Sequence, residues 1–176
     1  MTSQIFNHCV LAITLFCMAV VNLNAQEPSM QELLGQSLSR LEKPTPEAYL
    51  NCIAELKRID MIFPDSIQPK YQMALQSLCY AVMNPHAEQV EAVLAETEKV
   101  IAQMKEMKQA DQSDLCTLTG FLYMVRIVQN PGQNGPRYYL DVMQNYEKAL
   151  KLNPENQLAQ QLQQQFFDGM RQAMGE

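Results

Sequence analysis

The stretch Tyr146-Glu147-Lys148-Ala149-Leu150-Lys151-Leu152-Asn153-Pro154 decides how the rest of the chain is read. An aromatic residue is followed three positions later by alanine, and five positions after that by proline. At helical spacing Tyr146 and Ala149 share a side. The small alanine lets a second helix approach closely, and the tyrosine fills the groove beside it. Pro154 lacks the N–H a helix needs, so the next segment folds back. A helix that needs close neighbours implies more helices on either side of it.

The flanking sequence supplies them. From Pro28 onward apolar residues recur at helical spacing and do not alternate for long. A first helix is expected from about Ser29 to Glu42, with Met30, Leu33, Leu34, Leu38 and Leu41 on one face. Thr45-Pro46 offers an N-cap and a first-turn proline for a second helix, with Tyr49, Cys52, Ile53, Leu56 and Ile59 inward. After Phe63-Pro64-Asp65 comes a third, with Tyr71, Ala74, Leu75, Leu78 and Val82 inward. Asn84-Pro85 is read as cap and first residue of a fourth, which buries Val90, Val93, Leu94, Thr97, Ile101 and Met104. Asp111 or Ser113 caps a fifth, which buries Leu115, Leu118, Leu122 and Val125. Asn130 to Pro136 reads as the one clear loop, because it holds two prolines and two glycines. A sixth helix then covers Arg137 to Leu152, and a seventh runs from beyond Pro154 to about Met174. The expected class is all-α, with about seven helices in antiparallel pairs.

The 146–154 stretch has the form of the second helix of a tetratricopeptide repeat. Gly120-Phe121-Leu122-Tyr123 matches the small-residue and tyrosine spacing of the first helix, with Cys116 and Thr119 at the positions where the motif prefers Trp and Leu. Gly120 and Ala149 stand 29 residues apart. That is about ten more than a standard repeat, and the surplus is expected near 130–136. More broadly, 28–174 resembles small secreted tetratricopeptide-like proteins of Gram-negative Bacteroidota. The resemblance is carried by Leu33-Leu34-Gly35, by 43–49 and 53–59, by 139–154, and by Phe166-Phe167-Asp168-Gly169-Met170. It implies helix pairs stacked as an α-α superhelix, exported to the periplasm or beyond, and no catalytic residue to carry over. By analogy with such arrays, the first, third, fifth and seventh helices would line a concave side.

The N-terminus is a different polymer. Met1 to Ala25 contains no acid, lysine or arginine, so all 13 bases and 19 acids lie in 26–176. Val10 to Val21 is 12 nearly unbroken apolar residues. As a helix they span ~18 Å, short of the ~30 Å of a membrane core. With Asn22-Leu23-Asn24-Ala25 following, 1–25 is expected to be a signal peptide cut after Ala25, leaving 26–176 as one domain. The n-region has no Lys or Arg, and Leu23 is large for the −3 position. The net charge of −6 gives no general attraction to nucleic acid. A hydrophobic share of 47% argues against disorder and for a real core.

Little in 26–176 points to chemistry. His86 is its one histidine and reads as an exposed residue of a capping region. No Gly-x-Ser-x-Gly motif, phosphate loop or CxxC occurs. Asp111 and Asp114 fit a helix start, where the dipole favours acids. Cys52 and Cys79 sit at similar heights on two antiparallel helices and could pair. Used as small apolar groups, Cys52, Cys79 and Cys116 would remain buried thiols. The methionines read mainly as core filling.

The function expected is therefore that of a non-enzymatic module binding a protein or peptide in the cell envelope, with no cofactor and no metal. A passive part of an envelope assembly is the alternative, and an enzyme using the concave groove a remoter one. Leu158, Leu162, Phe166 and Met170 should pack inward on helix six. Phe167 and Met174 lie about 100° further round. Phe167 is the edge of a broad core stripe or an exposed anchor. With Met174, and with Phe121 and Met124 of helix five, it could form an apolar binding patch.

Overall fold

The computed structural model describes residues 28–174, and the expected signal segment 1–25 lies outside them. The described chain is all-helical. Its helices are α1 (Met30–Ser39), α2 (Pro46–Ile62), α3 (Ile67–Met83), α4 (Val90–Lys105), α5 (Gln112–Gln129), α6 (Pro131–Leu152) and α7 (Gln157–Met174). A 3-10 turn, Arg40–Glu42, extends α1.

Local chemistry fixes most boundaries. Ser29 and Glu32 form a reciprocal capping box at the start of α1. Thr45 accepts from the Ala48 N–H at 3.1 Å, with Pro46 behind it as the first residue of α2. Asp111 caps α5 by accepting from the Asp114 N–H at 2.9 Å. At α7 the cap is Asn156, whose Oδ1 accepts from the Ala159 N–H at 3.0 Å. Its buried Nδ2 reaches Ser113 Oγ (2.9 Å), Asp114 Oδ1 (3.0 Å) and Thr117 Oγ1 (3.3 Å) on α5. Burial and the neighbouring Asp111 push the Asp114 carboxyl up, against the opposing hydrogen bond from Asn156.

Two boundaries differ from expectation. Asn84 does not open α4. Its N–H and Nδ2 both donate to the Tyr80 carbonyl, so it closes α3, and a turn over 85–89 precedes Val90. Nor is 130–136 a loop, because α6 begins at Pro131. Asn130 Oδ1 accepts from the Gln133 N–H at 3.2 Å, and Pro131 takes the first-turn position. Pro136 forfeits only the bond to the Gly132 carbonyl, on an exposed residue where water can replace it. Asn134 Nδ2 donates to the Arg126 carbonyl at 2.6 Å and ties the start of α6 to the end of α5. The surplus of the 120–149 spacing is thus taken up as helix.

Packing forms two layers. α3 touches α5, and α5 touches α7, while α2 and α4 flank α3 and α6 flanks α5. α5 and α6 are the most intimate pair. A Cβ built on Gly120 would stand 2.8 Å from Tyr146 Cε1 and 3.3 Å from Asn145 Cβ, so only glycine admits the Tyr146 ring. Ala149 is fully buried against Cys116 of α5 and Ala159 of α7, and its carbonyl accepts from Ser113 Oγ at 2.9 Å. Three helices meet there on small side chains. Ala149→Leu is expected to destabilise by about 1–3 kcal/mol through overpacking. A melting temperature equal to wild type would contradict this.

The α2–α3 turn is held by a buried cation. Lys70 Nζ donates to Asp60 Oδ1 and to the Pro64 carbonyl, both at 2.6 Å. Its side chain is only 9% exposed.

Candidate functional site

Because α2, α4 and α6 pack on the odd-numbered helices rather than closely on one another, troughs remain between them. One lies between α2 and α4 with α3 as its floor, and has a volume of about 250 Å³. Leu50, Ile53 and Ala54 form one wall, and Ala92, Val93 and Val100 the other. Met73 and Ser77 of α3 close the bottom, both nearly buried. Lys57 of α2 and Glu96 of α4 pair at the trough, each about half exposed. Such a pair contributes about 0–1 kcal/mol, so it is easily exchanged for another partner. On the α4 side Thr97 donates its hydroxyl to the Val93 carbonyl at 2.8 Å.

A second trough, between α4 and α6 over α5, is more polar. It has a volume of about 410 Å³, and aromatic and charged side chains line it. Tyr123 stacks on Tyr138 with centroids 5.2 Å apart, and the Arg137 guanidinium lies over the Tyr138 ring at 4.9 Å. Glu98 and Lys105 stand at its rim.

Phe121 and Met124 are buried, 3% and 7% exposed, and present no surface to a partner. That corrects the expected patch. α5 is apolar on nearly every side, so its flanks are covered by neighbouring helices rather than left open. That signal was present in Leu115 to Val128. Phe167 is 36% exposed beside Phe166, at 6.5 Å between centroids. Leu162 and Phe166 are buried, with Leu158 and Met170 half-buried against the core, and Phe166 meets Tyr139 of α6. Met174 is the last residue of α7, and its side chain lies outside the described part. The open face of α3 carries Gln68, Gln72 and Gln76 beside Leu75, Cys79 and Val82. It is more polar than the trough across the fold.

His86 is exposed in the turn before α4. The nearby Arg126 guanidinium is engaged by Glu91 at 2.7 Å and Glu98 at 3.0 Å. Hydrogen bonds from Arg126 and Gln129 hold the Glu91 carboxyl below its usual range. Cys52, Cys79 and Cys116 are free thiols. Burial pushes all three up, Cys79 to about 11, so they are neutral thiols rather than nucleophilic thiolates. Among the described residues no three His, Cys, Asp or Glu side chains are placed to hold a metal ion. None of the described helices is long and apolar enough to cross a membrane.

The sequence reading takes Ile53, Val93 and Thr97 of the trough as core positions and does not single out the rest of the lining, although Leu50, Ala54 and Met61 on the flank of α2 hint at it. These residues extend the apolar surface beyond the Cys52, Leu56 and Ile59 stripe. No family model matches the chain, and no curated protein or solved structure shows significant similarity to it.

Proposed function

We propose that the protein is an exported, non-enzymatic module of tetratricopeptide-like helix pairs that binds a protein or peptide in the cell envelope. The observation that carries this reading is the apolar trough between α2 and α4. Its walls come from helices that are not packed against each other, and its lining stays apolar at a surface where water would favour polar groups. The alternation of odd and even helices supports stacking in pairs. Binding is assigned to the trough rather than to the α3 and α7 face, where glutamines dominate.

Ala92 is exposed on the trough wall, so Ala92→Arg should fill the trough and leave the fold intact. Partners cross-linked in envelopes of the producing cells should be lost from this variant. They should be kept by Leu140→Arg, at a position that is 66% exposed on α6 and away from the trough. Retention of the same partners by Ala92→Arg would overturn the assignment.

Export rests on Val10 to Ala25. The intact mass of the protein recovered from cells is expected to correspond to a chain beginning at Gln26. Soluble protein still starting at Met1 would contradict it.

A further inference from the structure

The trough between α4 and α6 carries two cations that the fold leaves unspent. Arg137 is exposed on its α6 wall and Lys105 on its α4 wall. Among the described residues neither joins an ion pair or a side-chain hydrogen bond. The acid in the lining, Glu98, is already engaged by Arg126 at 3.0 Å. Arg137 is nevertheless held in place. Its guanidinium lies over the Tyr138 ring at 4.9 Å, and that ring stacks on Tyr123 of the floor at 5.2 Å. Contact with a ring consumes none of the five N–H donors, so the fork that grips a carboxylate is positioned and free. Asp141, one turn along α6, forms no ion pair with Arg137 among the described residues. Burial first, and Asp141 after it, push the Tyr123 phenol up, so an anion is disfavoured at the phenol and left to the Arg137 edge.

We propose that the α4–α6 trough is a second recognition site, which takes an acidic peptide segment of a partner protein. One carboxylate sits in the fork of Arg137, an apolar side chain lies against Ile101 and Leu122, and a second carboxylate meets Lys105. The inference does not rest on the α2–α4 trough. Charge complementarity selects the occupant. In a chain of net charge −6, two free cations in one trough are a local exception. A basic segment would meet both with like charge, and a wholly apolar one would desolvate them without pairing. A bare inorganic anion would make no use of Ile101, Ala102 and Leu122. A carboxylate beside an apolar side chain matches both parts of the lining.

The test titrates two probes into the purified chain at low salt, followed by methyl NMR. They are the peptide acetyl-Glu-Phe-Leu-Glu-amide and the same peptide with both glutamates replaced by glutamine. The glutamate peptide is expected to shift the methyls of Ile101, Ala102 and Leu122, and to bind about tenfold tighter than the glutamine peptide. Raising the salt should shrink that preference. Arg137→Gln, at an exposed position, should leave the fold intact and remove most of it. Equal affinity for the two peptides, or a preference that survives Arg137→Gln, overturns the acidic-segment site. So does equally tight binding of inorganic phosphate, which would make the trough an anion site and not a peptide site. Shifts on Leu50, Ile53 and Val93 in place of Ile101 and Leu122 would also overturn it. None of these outcomes bears on the α2–α4 trough, whose own test is partner capture by Ala92→Arg.

Discussion

Tyr146→Ala is expected to destabilise the protein by about 3–5 kcal/mol, the largest single effect in the fold. Tyr146 is fully buried, and its ring occupies the cleft that Gly120 opens in α5. Removing it leaves a cavity between the two most closely packed helices, and the backbones cannot collapse to fill it while Ala149 already holds them together. Tyr146→Phe separates ring from hydroxyl. The hydroxyl touches only Met124 Sδ, at 3.8 Å, so the phenylalanine variant should stay within about 1 kcal/mol of wild type. Urea unfolding of both variants checks this. A large loss in Tyr146→Phe, or a small one in Tyr146→Ala, would show that the ring is not what joins α5 to α6.

The second large effect is at the α2–α3 turn. Asp60→Leu leaves the Lys70 ammonium buried with only the Pro64 carbonyl for company, and should destabilise by about 3–5 kcal/mol. Asp60→Leu combined with Lys70→Met removes both charges. Most of the loss should then be recovered, because an apolar pair of similar volume avoids the desolvation of the ions. Equal instability of single and double variants would mean that the turn depends on Lys70 reaching Pro64, and not on the ion pair.

How far these features could be read from sequence depends on the range over which they are set. Caps act within three residues, so Thr45-Pro46 locates the start of α2 and the pair Asp111 or Ser113 that of α5, where Asp111 is the one used. Stripes at helical spacing gave the buried faces of α2 and α4 nearly residue by residue, but in α5 they gave only Leu115, Leu118, Leu122 and Val125 of a helix buried on most sides. Asn84-Pro85 and 130–136 misled because the same residue types serve opposite ends of a helix. Asn84 spends its donors backward on Tyr80, and Asn130 spends its acceptor forward on Gln133. Phe121 and Met124 were placed on a surface by spacing alone, although the apolar character of all of α5 already argued for burial.

The trough depends on longer range. Lys57 and Glu96 lie 39 residues apart, and the walls they join face each other only because α2 and α4 both pack on α3. Helical periodicity shows which face of each helix is apolar. It does not show which two flanks the fold leaves open toward one another. Ser77 was invisible for the same reason. On the sequence it is a serine in a helix, and only the position of α3 beneath both walls makes it the floor of a site.

Methyl NMR of the chain in complex with its cross-linked envelope partner tests the central claim most directly. If the trough between α2 and α4 is the binding face, the largest changes fall on Leu50, Ile53, Met73, Val93 and Val100. Changes concentrated on Leu75 and Val82 of α3 and on Met170 of α7, with the trough methyls unmoved, would contradict it and return binding to the odd-helix face.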